Sequence, residues 1–474
     1  MVTIISEISK YLIIILMICY TLSCFNIFKP SNAQRVDHML NQQIFYVFGI
    51  HFLSYLIYYL RLGGIEILIF YGLQIIVASV YMIVYHYIYR QSSRLITNNM
   101  SFLLLIGYTM LTRIDYDLAK KQFLIGTAVL IVVTIIPKLM IRIKGLKNYW
   151  KIYAVSGILF LLTVFIPHVG ISKYGSRNWI KVGPISLQPM EFVKILFVFF
   201  LASMLSESTE FKHVCKVAVI AAIHVLILVA EKDLGGAAIF FVVFTIMLYT
   251  ATGKLYYLIG LFGGGGIVAV AGFMLLKDSV LKHVAVRIMA WQNPWADINN
   301  QGWQVAQSLF ALGTGGFLGS GLTQGRPNSV PVVESDFIFS GIGEEYGVLF
   351  ALALVLICVS CFIAIMNAAM KCKRIFYKNL AVGFGTCYIF QVFLNIGGVT
   401  KFIPSTGVTL PLVSYGLSSV LSTLIIFNII QGIYIIENKE AETIEKAKKQ
   451  LEADSESQGS AGQGTKKNRG KSKA

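Results

Sequence analysis

Charge is scarce in this chain. Only 13% of its 474 residues are charged while 56% are apolar, which excludes a soluble multidomain protein. Although the formal charge is +17, the basic residues are scattered through short loops, and no basic soluble domain exists that could hold nucleic acid. The G-x-x-x-x-G-K-[ST] signature is missing, so a nucleotide-binding P-loop is excluded. Cys19 to Lys29 offers no small-x-small cleavage site, and the first apolar run reads as a retained helix. Of the 7 cysteines, none falls in a loop assigned below to the outer face, which rules out an extracellular disulfide framework. Cys358 and Cys361 form C-x-x-C only because both lie on one apolar helix, where packing outweighs redox chemistry.

What is abundant is apolar sequence in helical lengths. A bilayer core requires roughly 20 apolar residues per helix, and about thirteen such runs can be placed. They centre on Ile15, Leu53, Val77, Leu105, Ile131, Leu161, Val198, Leu226, Phe244, Gly265, Leu356, Phe390 and Ile426. The expected fold is all-α, a polytopic membrane bundle. The loops Lys138 to Lys151 and Lys371 to Lys378 carry cations without acids, which the positive-inside rule places in the cytoplasm. An even number of spans separates them, so both fall on one side. By the same parity the N-terminus lies outside, and the charged tail, 437–474, lies inside as a short helix passing into disorder. The outward loops are then the one around Asp115, His168 to Met190, Glu231 to Gly236, the long stretch 277–345, and Gly397 to Thr409.

Ionisable groups cost about 3 kcal/mol or more at a bilayer centre, so charges at the outer helix ends are the candidates for chemistry. Arg177, Trp179, Lys181, Glu191 and Lys194 form one cluster, with Pro189 opening a helix and Glu191 and Lys194 three residues apart on one face. An ordinary ion pair beside an interfacial tryptophan explains that cluster equally well. Glu231-Lys-Asp233 occupies a tight turn. From Lys277 past Arg287 and Trp291 to Gln304, aromatic and cationic residues alternate as in an interfacial helix. Gly313 to Gly321 is dense enough in glycine to cradle phosphate, or merely to turn. The run Gly263 to Gly266 is expected to allow close helix packing.

An enzyme working outside has no ATP or nucleotide sugar, so a synthetic reaction there needs a donor that arrives activated and membrane-bound. A polyprenyl pyrophosphate sugar meets that need. Arg177, Lys194 and Arg287 would neutralise the pyrophosphate, and a carboxylate would deprotonate the acceptor hydroxyl. No ligand set demands a metal, and a divalent cation on the leaving group is left open.

Arg177-Asn-Trp179-Ile, Gln188-Pro-Met-Glu191-Phe-Val-Lys194, Asp233-Leu-Gly235, Ser335-Asp336-Phe-Ile-Phe, Gly343-Glu344-Glu345 and Pro411-Leu-Val-Ser414-Tyr-Gly416 occur in order. In these motifs the chain resembles the SEDS family of shape, elongation, division and sporulation proteins, the FtsW, RodA and SpoVE group. The resemblance implies a catalytic core over 96–436, preceded by about three extra transmembrane helices in 1–95. It implies a peptidoglycan glycosyltransferase of the bacterial cytoplasmic membrane, using the lipid-linked disaccharide-pentapeptide and working with a single-span penicillin-binding transpeptidase. Asp336 matches the family's essential aspartate, and Trp179, Glu191, Lys194, Asp233 and Arg287 match other functional positions. The usual Gln-Pro-Asp turn is Glu231-Lys232-Asp233 here, where Lys232 is expected to favour ionised Asp233. The rival reading is a flippase for the same precursor, which needs polar groups along a path through the bilayer.

Overall fold

The computed structural model describes residues 1–29, 32–173, 175–183, 185–278 and 281–467. Three helices come first, α1 (Val2–Asn26), α2 (Ala33–Leu62) and α3 (Ile65–Ile88), followed by α4 (Arg94–Ile114), α5 (Tyr116–Val133), α6 (Ile136–Arg142) and α7 (Trp150–Leu162). A small antiparallel sheet, β1 (Gly170–Lys173), β2 (Ser176–Val182) and β3 (Ile185–Leu187), interrupts the helices. Next come α8 (Pro189–Glu207), α9 (Phe211–Ala230), α10 (Leu234–Thr252) and α11 (Leu255–Leu276). Short α12 (Lys282–Gln292), α13 (Trp303–Gly315) and α14 (Ile338–Tyr346) precede α15 (Val348–Lys371), α16 (Ile375–Val399) and α17 (Leu417–Lys467).

Among the described residues, 12 helices are long and apolar enough to cross a membrane, and this is a multi-pass membrane protein. The run centred on Leu161 forms the shorter helix Trp150–Phe165. Helix starts follow local chemistry. Asn32 Oδ1 accepts from Arg35 N–H at 2.9 Å, Asp115 Oδ1 accepts from Asp117 and Leu118, and Pro189 occupies the first turn of α8. The tail differs from the short helix expected: α17 continues to Lys467, while 468–474 lie outside the described residues.

Sequence reading placed only a loop at His168 to Met190, where the structure has the sheet. Its turns use Gly175 and Gly183 at positive φ, and Ile180 pairs with both Gly170 and Leu187.

The N-terminal helices are knitted to the core rather than appended. Tyr20 donates to Asn99 Oδ1 (2.7 Å), Asn99 donates to Ser360 (2.8 Å), and Asn98 donates to Gln43 (3.0 Å). Farther along, His51 meets Thr109, Tyr55 meets Thr112, and Ser54 meets Tyr346. Interhelical hydrogen bonds of this kind average about 0.6 kcal/mol each, so their number and the burial of α4 from Leu95 to Thr112 make the contact firm. Helix α11 is the opposite case. None of its residues is buried, and of Gly263 to Gly266 only Gly265 meets a neighbour, the Phe241 ring. The close packing expected of that run is therefore not formed.

Candidate active site

Every loop assigned to the outer face contributes to, or lies beside, one cavity of about 530 Å³. The sheet brings Asn178 and Trp179, the α9–α10 turn brings Lys232 and Asp233, and α8 brings Glu191. Arg287 enters from α12, Glu334 to Asp336 from the chain before α14, Thr406 to Thr409 from the loop after α16, and Lys121 from the N-terminal part of α5. Sequence reading named Trp179, Glu191, Asp233, Arg287 and Asp336, and these do line the cavity.

Glu191 and Lys194 are both about 2% exposed and form a buried ion pair on α8. Ser422 donates to Glu191 Oε2 (2.7 Å), and Lys194 donates to Gln391 Oε1 (2.9 Å), whose amide reaches Thr409 O and Ser419 Oγ. Four helical and loop segments thus converge on one pair of charges. Lys194 lies a turn along α8 from the cavity wall, paired with Glu191, and does not itself line the cavity where a pyrophosphate was expected to meet it. Arg177 also departs from expectation. Its guanidinium donates to the Phe165 carbonyl (3.4 Å) and its N–H to Glu231 O (2.9 Å), tying the sheet to the helix ends outside the cavity lining. Its neighbours Asn178 and Trp179 both line the cavity.

Asp233 is held by neutral donors. Its Oδ1 accepts from Gly236 N–H (2.8 Å), capping α10, and its Oδ2 accepts from Asn178 (2.9 Å) and Gln188 (3.2 Å). Lys232, its neighbour in the turn, makes no ion pair with it among the described residues. Glu231 is fully buried behind the turn with both carboxyl oxygens unpartnered. Burial, and secondarily the Asp233 charge, pushes its pKa up to about 9, so it stands neutral at pH 7.

The segment carrying Asp336 is pinned by three successive carbonyls. Glu334 O accepts from Tyr415 N–H (2.7 Å), Ser335 O from Ser414 Oγ (2.5 Å), and Asp336 O from Asn395 Nδ2 (2.9 Å). No side chain caps α14, so the Asp336 carboxylate is not spent on a helix terminus. A second cavity of about 450 Å³, lined by Val286, Ala290, Gln304 and Val305, shares Arg287, Val332, Asp336 and Gly407 with the first. Asp336 and Arg287 therefore stand where two cavities meet. Between them is Gly407, at φ +73°, whose absent Cβ would lie 3.5 Å from both Asp336 Oδ2 and Arg287 Nη2. Arg287 is itself anchored to Ser405 O (3.3 Å). Burial pushes Asp336 up to about 6, with Arg287 opposing.

Asn395, Ser414 and Tyr415 were not identified as site residues from sequence, although Ser414-Tyr-Gly416 was visible as a motif. Its signal was a polar triplet after Pro411, with no indication of which carbonyls it would hold. The glycine run from Gly313 to Gly321 lies outside both cavities. Gly316 O accepts from Val348 N–H, and a Cβ on Gly315 would stand 2.0 Å from Gly343 O, so these glycines seat α13 against α14 and α15. Among the described residues, no group of three His, Cys, Asp or Glu side chains converges to hold a metal ion.

Comparison with known proteins places this geometry. Residues 93–439 match the family of FtsW, RodA and SpoVE, described as cell cycle protein. The peptidoglycan glycosyltransferase RodA of Mycobacterium tuberculosis is 33% identical over 307 residues, covering 61% of this chain and 64% of that protein. This chain thus spans just under two thirds of that relative's length. Stage V sporulation protein E of Bacillus subtilis is 33% identical over 285 residues, covering 57% of this chain and 76% of that protein. A chain from a solved peptidoglycan synthase complex that coordinates polymerization and crosslinking shares the fold, with TM-score 0.61 at 22% identity over 73% of this chain and 98% of that one. With residues 93–439 matched, most of its length, the chain belongs to the FtsW, RodA and SpoVE family of cell cycle proteins.

Proposed function

We propose that this chain is an inverting peptidoglycan glycosyltransferase that polymerises a lipid-linked disaccharide-pentapeptide. The observation that carries the reading is Asp336, a carboxylate brought near neutrality, beside Arg287, at the junction of two cavities. Two cavities suit two substrates, one supplying the anomeric carbon and the other the attacking hydroxyl. Asp336 takes the hydroxyl proton as the new glycosidic bond forms, and the anomeric carbon–oxygen bond to the diphosphate breaks on the opposite face. An ordinary aspartate at about 3.9 is a weak base at pH 7, whereas one raised to about 6 is both ionised and better matched to the transfer. The reading is supported by the names of the relatives, which include peptidoglycan glycosyltransferases. The alternative, a flippase, would need polar groups along a transbilayer path.

The test is strand synthesis by the purified full chain in detergent, supplied with the lipid-linked precursor and no other transferase. Strands are expected, with a rate that rises with pH through about 6 as Asp336 ionises. Precursor translocation in vesicles without any strand formation would favour the flippase instead.

The core at 96–436, the preceding helices at 1–95 and the tail at 437–474 are the domain division we propose. The cavity is assigned to the outer face by the cationic loops at Lys138 to Lys151 and Lys371 to Lys378. A cysteine placed at Asn328 is expected to react with a membrane-impermeant thiol reagent in intact cells, and one at Asn148 to stay protected. The reverse labelling would overturn both the orientation and an external active site.

The partner we propose is a single-span penicillin-binding transpeptidase, since the described residues hold no soluble domain able to cross-link peptides. It should co-purify from the native membrane in mild detergent. Unchanged particle mass and activity after deletion of all such transpeptidases would remove this proposal.

A further inference from the structure

We infer that Lys121 and Lys232 form a two-point clamp for the diphosphate of a polyprenyl-linked substrate in the first cavity. The inference rests on the glycosyltransferase reading and assigns that site its anion-holding residues. Both lysines line the first cavity and neither lines the second, whereas Asp336 and Arg287 line both. They come from different elements, Lys121 from the N-terminal part of α5 and Lys232 from the α9–α10 turn.

Among the described residues, neither ammonium group has an ion pair or hydrogen bond. The charges around them are already committed. Lys194 answers Glu191, three N–H donors answer Asp233, the buried Glu231 next to Lys232 stands neutral, and Lys120, beside Lys121, pairs with Asp117 at 2.7 Å. Glu334 and Asp336, the other acids of the lining, enter from the segment before α14 and, among the described residues, pair with neither lysine.

Lys232 sits at φ +62°, a left-handed conformation that costs a non-glycine residue of order 1 kcal/mol. Glycine would remove that cost, so the side chain can be deleted there without straining the turn. The turn is fixed around it: Lys232 N–H donates to Val229 O (3.0 Å), Asp233 N–H to Leu228 O (2.9 Å), and Ser176 Oγ to Lys232 O (3.0 Å). Two unpaired cations approaching one cavity from separate elements suit an anion with two charged centres, which a diphosphate is and a single phosphate is not. The leaving diphosphate then gathers negative charge at the lysines, while Asp336 takes the proton.

The probes are farnesyl diphosphate, inorganic pyrophosphate, farnesol and phosphatidylglycerol, applied to the detergent-solubilised full chain. The variants are Lys121→Gln, on an exposed helix surface, and Lys232→Gly, which removes the ammonium while easing the backbone. Thermal unfolding should show both folded, with Lys232→Gly at least as stable as the parent. Each variant is expected to weaken farnesyl diphosphate binding roughly tenfold, the size of one charge-assisted contact, and to leave farnesol binding unchanged. Lys121→Arg should retain binding. Inorganic pyrophosphate should compete with farnesyl diphosphate in the parent protein.

Undiminished farnesyl diphosphate affinity in the two folded variants would overturn the clamp, as would displacement by phosphatidylglycerol with equal affinity. These outcomes are independent of the glycosyltransferase assignment. Loss of diphosphate binding together with full polymerisation by Asp336→Asn would leave the clamp standing and remove the catalytic assignment.

Discussion

Asp336→Asn is expected to slow strand synthesis by roughly 10² to 10⁴, the usual contribution of a positioned general base. Asparagine keeps the volume and most hydrogen bonding of the side chain but cannot take a proton at neutral pH. The backbone bonds that hold this segment, from Tyr415, Ser414 and Asn395, reach main-chain carbonyls and are untouched by the change. Stability should move the other way. Because the folded-state pKa of Asp336 is raised to about 6, the folded chain holds a proton that the unfolded chain has released above its ordinary value near 3.9. Stability falls as pH rises across that window, and an asparagine escapes the loss. At pH 8 the variant should therefore melt no lower than the parent while making far fewer strands. A well-folded Asp336→Asn protein with near-parental polymerisation would end the base assignment and direct attention to Asp233 or Glu191.

Glu191→Ala should be the most destabilising single change in the core. It strands the ammonium of Lys194, 2% exposed, with only Gln391 as a partner. Removing one member of a buried pair costs about 3–5 kcal/mol, while replacing both members by apolar residues of similar volume is often close to neutral. The double substitution Glu191→Met with Lys194→Met is accordingly expected to recover most of the melting temperature lost by Glu191→Ala. Strand synthesis should stay impaired in the double variant, because Glu191 also contributes to the cavity wall. Melting curves and polymerisation rates on the same preparations separate the two roles. If the double variant regains full activity, the pair is scaffolding alone; if it fails to regain stability, the pair and its bonds to Gln391 and Ser422 hold α8 to α16 and α17 more strongly than apolar packing can.

Prediction from sequence worked best where the physics is one-dimensional. Hydropathy over about 20 residues determines whether a segment can cross a bilayer, so all the expected runs returned as helices, with the one at Leu161 short. Cation placement along the chain likewise grouped the loops that meet at the cavity. Pro189 opened α8 and Asp233 capped α10, both through contacts within a few residues.

Properties that depend on distant partners were not legible in that way. The sequence allowed Lys194 to be either a phosphate cation or the partner of Glu191 three residues before it, and packing against Gln391, 197 positions away, is what buries that pair. Arg177 and Asn178 are neighbours in sequence, and the fold sends one to a carbonyl outside the lining and the other to Asp233. The glycines from Gly313 to Gly321 offer close backbone approach whatever approaches, and the fold supplied another stretch of backbone rather than a phosphate. Composition and periodicity thus determined that this is a membrane bundle and which loops share a face, because both depend on local solvation. Which acids remain free, which lysines remain unpaired, and that Asp336 stands between two cavities were decided by tertiary packing, because the effective charge of a buried group is set by the groups the fold brings beside it.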